Sequence, residues 1–190
     1  MLIVNLSLTL DGVIQAPGRP DEDTRGGFAF GGWATPYFDP LMGPQGSGPA
    51  PGLLFGRRTY QDFYAVWPNR KGNPFTTILD NAQKYVASRT LTEPLPWQNS
   101  TLLRGEAATS VATLKAESKR DLLVLGSVGL VQTLMRANLI DEYVLSIHPL
   151  VLGSGARLFR DGGRHAALEL LDAKSTKTGV VIARYKPRRT

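Results

Sequence analysis

The chain has 190 residues, 42% of them hydrophobic, with a net charge of +6. This length and composition predict one globular domain over residues 1–190 and argue against disorder. The absence of cysteine excludes disulfides, thiolate metal sites and a cysteine nucleophile, and two histidines argue against a histidine-rich metal site, so no metal is expected. We find no signal peptide and no apolar run of membrane-spanning length, so we expect a cytoplasmic protein without a membrane partner.

The positive charge does not by itself indicate nucleic-acid binding. Basic residues are scattered along the chain, and no aromatic-basic interleaving occurs. The exception is a cluster near the C-terminus that consists of Arg184, Lys186, Arg188 and Arg189. A smaller anion, such as a phosphorylated cofactor or substrate, accounts for scattered arginines equally well. We therefore expect no nucleic-acid partner.

The chain begins with an apolar strand over residues 2–10, which ends at the turn signal Asp11-Gly12. Residues 16–52 then form a long segment rich in glycine and proline, and a loop of this length is usually functional. A short helix is predicted over 36–42, with Thr35 as its N-cap and Pro36 in its first position. Residues 43–52 read as a flexible connector.

Strands and helices alternate in the rest of the chain. The patterns predict strands at 53–55, 85–87, 101–103, 122–125 and 141–148, and helices at 57–67, 73–81, 107–119 and up to Ala137. Residues 167–173 and 180–186 are predicted to form a terminal antiparallel hairpin. The fold class is therefore α/β, a sandwich with a mostly parallel central sheet and an antiparallel end.

Three of these strands end in turns suited to phosphate. The turns are Gly56-Arg57-Arg58-Thr59, Ser88-Arg89-Thr90 and Gly126-Ser127-Val128-Gly129. Ligands of open α/β sheets bind beyond the carboxyl ends of the strands, and a helix N-terminus attracts anions. Taken singly, each glycine turn could be an ordinary strand-to-helix turn and each arginine a solvated side chain. Together the turns favour a binding site at one edge of the sheet.

The chain resembles the dihydrofolate reductase superfold, and more closely the reductase domain of the bifunctional riboflavin-biosynthesis deaminase-reductase. The matching segments are Ser7-Leu8-Thr9-Leu10-Asp11-Gly12-Val13-Ile14, Leu54-Phe55-Gly56-Arg57-Arg58-Thr59-Tyr60, Val86-Ala87-Ser88-Arg89-Thr90 and Val124-Leu125-Gly126-Ser127. A fifth segment, His148-Pro149 to Gly155 with Arg157-Leu158-Phe159, is similar to stand-alone members of that branch. The resemblance implies a three-layer fold with NADPH as its cofactor.

The resemblance also implies which residues bind the cofactor. Arg57 and Arg58 would pair with its 2′-phosphate or pyrophosphate, beside Gly56 and Thr59, because guanidinium grips phosphate bidentately. The Ser88-Arg89-Thr90 turn would bind the 2′-phosphate. Residues Gly126, Ser127, Val128, Gly129 and Leu130 would hold the pyrophosphate through backbone N–H groups. Thr9, Val13 and Ile14 would line the nicotinamide.

The substrate side of the site is less well marked. Reductases of this superfold carry Trp, Pro and then an acid, and Trp33, Pro36 and Asp39 are a loose counterpart, which makes Asp39 the candidate proton donor. A helix-surface carboxylate is the competing interpretation. Asp11 is a candidate substrate contact, although it reads as a turn former more than as an acid. Trp33, Phe38 and Tyr64 are candidates for contact with a flat heterocycle, although they could equally cover the core.

The predicted function is an NADPH-dependent reductase of a planar nitrogen heterocycle, pyrimidine- or pterin-like. It would resemble 5-amino-6-(5-phosphoribosylamino)uracil reductase or dihydrofolate reductase. Because the chain lacks the cysteines of a zinc site, we expect no deaminase domain before the fold, so the riboflavin-pathway substrate is not assumed. Gly126-Ser127 departs from the Gly-Gly of the dihydrofolate reductases. The alternative is a non-catalytic nucleotide- or flavin-binding module of the same fold. A homodimer is expected, with the strand at 143–147 and the hairpin as open edges.

Overall fold

The computed structural model describes residues 1–42, 50–163 and 165–188. The strands are β1 (Leu2–Thr9), β2 (Gly52–Gly56), β3 (Lys84–Ala87), β4 (Ser100–Leu103), β5 (Leu122–Gly126), β6 (Glu142–His148), β7 (Leu168–Ser175) and β8 (Val181–Pro187). The α-helices are α1 (Arg57–Val66), α2 (Pro74–Asn81), α3 (Ala107–Glu117) and α4 (Val128–Arg136). Each predicted strand and α-helix after residue 52 is present, with ends within a few residues of the prediction.

The chain divides into two units. The first comprises Met1–Ile3 and Gly48–Ile140, and the second comprises Val4–Ser47 and Asp141–Thr190. Strand β1 contributes its first residues to the first unit and the rest to the second. The prediction of one domain over residues 1–190 stays a prediction.

In the first unit, strands run in the order β4-β3-β2-β5 and pair in parallel. Gly56 pairs with Ala87, Ala87 pairs with Leu103, and Phe55 pairs with Gly126. All four strands therefore end at the same edge. This register is what brings the turns that follow them together.

A cluster of buried apolar side chains fixes this register. Its members are Leu53, Phe55, Tyr60, Leu79, Ala82, Val86 and Trp97. Burying a large apolar side chain contributes about 1.5–3 kcal/mol, so the cluster stabilises the parallel strands against sliding. Lys84 is also fully buried, and its ammonium donates to the carbonyls of Leu79, Asp80 and Ala82 at 2.7, 3.2 and 2.8 Å. It thereby satisfies carbonyls around the end of α2, while its burial lowers its pKa to about 8.

In the second unit, β8 pairs antiparallel with both β6 and β7. The turn between β7 and β8 is closed by the Thr176 N–H, which donates to the Val180 carbonyl at 2.8 Å. Arg184 binds Glu142 through two contacts of 2.7 and 3.1 Å, which ties β8 to β6. The predicted α/β class, with a mostly parallel sheet and a C-terminal antiparallel hairpin, is confirmed.

Two predictions about the sheet and the long loop are corrected. Strand β6 is not an edge, because it lies between β1 and β8, and the outer strand of the second unit is β7. The helix predicted over 36–42 is instead two short 3-10 turns, Thr35–Tyr37 and Pro40–Met42. The extended backbone of Phe38 (φ −54°, ψ 133°) separates them, because Phe38 leaves the helical region and Pro40 cannot donate an N–H.

The connector predicted over 43–52 lies for the most part outside the described residues, and within them Gly52 already begins β2. In the part of the chain that the structure describes, no helix has both the length and the apolar character needed to cross a membrane.

Candidate cofactor and substrate sites

The turns after β2 and β5 touch each other in the first unit. A Cβ atom on Gly56 would overlap the Ser127 hydroxyl, and one on Gly126 would lie 2.8 Å from Thr59 Oγ1. Gly126 has a φ of 132°, in the region that favours glycine, and its peptide bond to Ser127 is cis. The structure therefore brings two of the three predicted turns into direct contact, and only glycine fits there.

Both of these turns lead into helices whose first N–H groups lack a side-chain cap. Neither Gly56 at α1 nor Ser127 at α4 makes a side-chain cap hydrogen bond, and neither first turn contains an acid. A Cβ on Gly129 would have no atom within 4 Å. Uncapped N–H groups carry partial positive charge and need acceptors, so an anion such as a pyrophosphate fits this place.

The third predicted turn lies at the same edge through the pairing of Ala87 with Gly56. The Ser88 hydroxyl oxygen accepts the N–H groups of Thr90 and Leu91 at 3.1 and 3.0 Å. Those contacts use the lone pairs of the oxygen, so its proton is left to donate to a ligand. Arg89 is exposed at the start of this turn.

Arginines follow three of the four strands that end at this edge. Arg57 is half-buried and donates to Gln61 Oε1 at 3.4 Å, and Arg58 is exposed. The sequence reasoning missed Arg104, which follows β4 directly and is exposed. The available signal was a short apolar strand followed by an arginine and a glycine, Arg104-Gly105, which is the reverse of the order in Gly56-Arg57.

Asp11 in the second unit is a turn former, as the sequence favoured. Its carboxylate accepts the Thr9 hydroxyl at 2.6 Å and the N–H groups of Leu152 and Gly153 at 3.2 and 2.9 Å. These hydrogen bonds, that of Thr9 first, lower the pKa of Asp11 to about 2. Asp11 is therefore ionised at neutral pH, and its predicted contact with substrate stays a prediction.

The residues predicted to line the nicotinamide are well packed. Val13 is fully buried in a cluster with Ala16, Phe28 and Trp33, and Ile14 is also buried. The Thr9 hydroxyl accepts the Val13 N–H at 3.0 Å while it donates to Asp11. The Thr9 N–H also donates to the Val13 carbonyl at 3.0 Å, so contacts of Thr9 and Val13 with a ligand would use their main-chain carbonyl oxygens.

The predicted aromatic contacts differ among themselves. Trp33 is buried, and its indole N–H donates to the Gln15 carbonyl at 2.7 Å. Its surroundings are those of a core residue, which was the alternative to contact with a heterocycle. Phe38 is 72% exposed. In the first unit, Tyr64 lies parallel to Tyr60 with 6.5 Å between ring centroids and is 37% exposed.

Asp39, the predicted proton donor, is buried. Its two carboxylate oxygens accept the N–H groups of Leu41 at 2.9 Å and of Lys177 at 3.3 Å. These contacts are those of a residue that holds a turn, and the predicted catalytic role stays a prediction.

The sequence assigned His148 no functional role beyond its place in the fifth matching segment, since a lone histidine in a strand gives no signal. It is fully buried, and Nδ1 lies 2.9 Å from the Ser146 carbonyl and 3.3 Å from that of Leu8. The rings of Trp33 and Tyr37 meet it edge to face at 5.1 and 5.7 Å. Within the described residues, Nε2 has no hydrogen-bond partner. Burial lowers the pKa of this imidazole.

The second unit is expected to lose stability in acid. The pKa of His148 is lower in the folded chain than the ordinary 6.5, so protonation favours the unfolded chain as pH falls below 6.5. Asp11 adds a further loss between about pH 4 and pH 2. Urea unfolding at pH 7 and pH 5 should show a smaller drop for His148→Asn than for wild type. His165→Asn, an exposed control, should match wild type. An unchanged drop in His148→Asn would contradict the assignment.

Comparison with solved structures defines the fold as that of the dihydrofolate reductases. A Shewanella sp. PV-4 protein assigned to riboflavin biosynthesis superposes with a TM-score of 0.72, at 23% identity over 99% of both chains. Dihydrofolate reductase from Enterococcus faecalis, complexed with NADP(H), gives a TM-score of 0.59 at 11% identity, covering all of this chain and 97% of that one. Acinetobacter baumannii RibD gives 0.57 at 14% identity, covering 98% of this chain and 57% of that one.

The chain belongs to the RibD C-terminal domain family, whose model matches residues 1–182. The uncharacterised Bacillus subtilis protein YyaP is 28% identical over 191 residues, which cover 97% of this chain and 93% of YyaP. Another uncharacterised protein of that organism, YwjB, is 26% identical over 63% of this chain and 74% of its own length. The resemblance inferred from the sequence is confirmed.

Proposed function

We propose that the protein is an NADPH-dependent reductase of a planar nitrogen heterocycle, pyrimidine- or pterin-like. The observation that carries this proposal is the shared edge of four parallel strands in the first unit. Two glycine turns, two uncapped helix N-termini and several arginines meet there. Main-chain N–H groups and guanidiniums together suit a dinucleotide that carries several phosphates.

We assign each group of predicted residues to one part of NADPH. Gly126, Ser127, Val128, Gly129 and Leu130 would hold the pyrophosphate at the start of α4. The turns that contain Gly56, Arg57, Arg58 and Thr59, and Ser88, Arg89 and Thr90, would bind the remaining phosphate. Main-chain atoms of Thr9, Val13 and Ile14 would orient the nicotinamide, which supplies a hydride when the cofactor is bound.

The proton for the reduced ring needs a separate source. Asp11 is unsuited to this role, because its hydrogen bonds keep it ionised. Asp39 remains the proposed donor, either directly or through a water molecule. Phe38, which is exposed, is the aromatic residue of the second unit that we assign to contact with the heterocycle. In the first unit we assign Tyr64 the same role.

A non-catalytic module that binds a nucleotide or flavin is the second candidate. It is favoured by the second unit, where Trp33 is committed to the core and both oxygens of Asp39 are committed to the main chain. Binding without turnover across a panel of pyrimidines and pterins would support this candidate over the reductase.

The proposal extends to assembly and compartment. Strand β7 is the outer strand of its unit and exposes Leu170 and Leu171 by 54% and 43%. An exposed apolar edge strand favours pairing with another copy, so we propose a homodimer through β7. The cytoplasm, where NADPH-dependent biosynthesis takes place, is the proposed location.

NADPH is expected to protect the purified protein against thermal unfolding. A ligand at a hundred times its Kd stabilises a fold by about 2.7 kcal/mol, which corresponds to a rise in Tm of roughly 5–10 °C for a chain of this size. The measurement is a thermal scan at increasing NADPH, with NADH and AMP as matched ligands. The absence of any NADPH-dependent shift would contradict both the reductase and its cofactor.

A further inference from the structure

Two ion pairs link the turns that follow β3 and β4. Arg89 Nη1, after β3, lies 3.3 Å from Glu106 Oε1, after β4. Arg104 Nη2, after β4, lies 3.2 Å from Glu93 Oε2, in the segment after β3. Each turn thus provides one guanidinium to a carboxylate of the other. The Ser88 N–H also donates to the Leu103 carbonyl at 3.2 Å, which holds the starts of both turns together.

These ion pairs are open to solvent. The side chains are 76% and 72% exposed in the Arg89–Glu106 pair, and 64% and 52% exposed in the Arg104–Glu93 pair. Exposed pairs of this kind change an equilibrium constant by about fivefold at most, because water screens the charges and two long side chains lose freedom. A phosphate dianion carries more charge and binds guanidinium bidentately, so it is the stronger partner. We therefore expect Arg89 and Arg104 to bind a phosphate more strongly than they bind their glutamate carboxylates.

We propose that Glu93 and Glu106 compete with the 2′-phosphate of the cofactor for Arg89 and Arg104. We also propose that Arg104 is an additional residue that selects NADPH over NADH. This inference rests on the proposed function. When the phosphate binds, Arg89 and Arg104 release their carboxylates and turn to the phosphate, joined by the free proton of the Ser88 hydroxyl. The two glutamates lower the affinity for the phosphate by occupying its partners and by repelling its charge.

The experiment is a set of binding titrations of the full chain with NADPH, NADH, adenosine 2′,5′-bisphosphate and AMP. Glu106→Gln and Glu93→Gln are each expected to tighten NADPH and the bisphosphate by about two- to fivefold, leaving NADH and AMP unchanged. Arg104→Gln is expected to weaken the same two probes by about fivefold or more. All effects should shrink at high salt. Glu117→Gln, an exposed acid at the end of α3, is the matched control and should alter none of the four.

Two results would overturn the inference, and only the second would also overturn the proposed function. If wild type prefers NADPH to NADH but the glutamine variants bind NADPH no more tightly, the ion pairs only order the turns and the inference alone fails. If wild type binds neither NADPH nor the bisphosphate, the proposed function fails with it. Thermal scans without ligand check folding, and the isosteric Glu→Gln changes should shift the Tm by about 1 °C or less.

Discussion

Replacing Gly129 with valine is expected to weaken NADPH and NADH binding together by about tenfold or more. Gly129 lies in the first turn of α4, and a Cβ there would meet no atom within 4 Å outside the adjacent backbone of its own helix. Helical Cβ atoms tilt toward the N-terminus of the helix, so the valine side chain would occupy the place that we assign to the pyrophosphate. A tenfold loss corresponds to about 1.4 kcal/mol of binding free energy.

The same substitution should leave the fold intact. Glycine in a helix costs about 1 kcal/mol relative to alanine, so valine at this position is expected to change the free energy of unfolding by less than about 1 kcal/mol. Ala116→Val, at an exposed position near the end of α3, adds similar bulk and should bind both cofactors normally. Titrations by intrinsic fluorescence, together with urea unfolding, separate the two effects. Normal cofactor binding by the Gly129 variant would remove α4 from the site.

Replacing Arg57 with glutamate is expected to weaken NADPH by about ten- to a hundredfold and NADH by much less. Arg57 is the first residue of α1, and a guanidinium there adds to the positive end of the helix. Charge-assisted hydrogen bonds contribute about 1.5–3 kcal/mol, and a glutamate would add repulsion of the phosphate. The structure gives Arg57 one weak contact, with Gln61 at 3.4 Å, so little else is lost.

Arg70→Glu is the matched control, because Arg70 is exposed, its guanidinium lies over the Trp67 ring at 4.8 Å, and it follows the C-terminal end of α1, opposite to Arg57. It should alter neither cofactor. An equal loss of NADPH and NADH in Arg57→Glu would assign Arg57 to the pyrophosphate that both cofactors share. No loss of either would exclude the guanidinium from the site.

The shared strand edge of the first unit could be predicted from local sequence because the same pattern of strand and turn occurs several times. Each strand is a short apolar run followed by a turn with small residues, and the turns after β2, β3 and β4 also carry an arginine. Parallel pairing then places the ends of such strands side by side, as the pairing of Gly56 with Ala87 shows. Arg104 follows the same rule but was overlooked, because a single arginine after a short strand is usually only a solvated side chain.

The second unit was harder to predict because its contacts join distant parts of the chain. The partners of Asp11 lie about 140 residues later, at Leu152 and Gly153, and a local pattern does not contain them. Trp33 was ambiguous for a physical reason, since a buried core and a flat heterocycle offer an indole ring the same apolar surface. The order of the strands in the sheet was hard to predict for a similar reason. The sequence of β6 indicates a strand, but it does not indicate which strands pair with it.

Gln15 gives the long loop of the second unit its course. Its side-chain amide donates to the carbonyls of Asp23 and Arg25 at 3.0 Å each, and its Oε1 accepts the Ala156 N–H at 2.9 Å. One buried side chain thus fastens two stretches of main chain, at 23–25 and at 156, through their backbone groups. Exposed loop positions such as Thr24 are consequently free to diverge among relatives. New surface chemistry can evolve here while the backbone path is inherited.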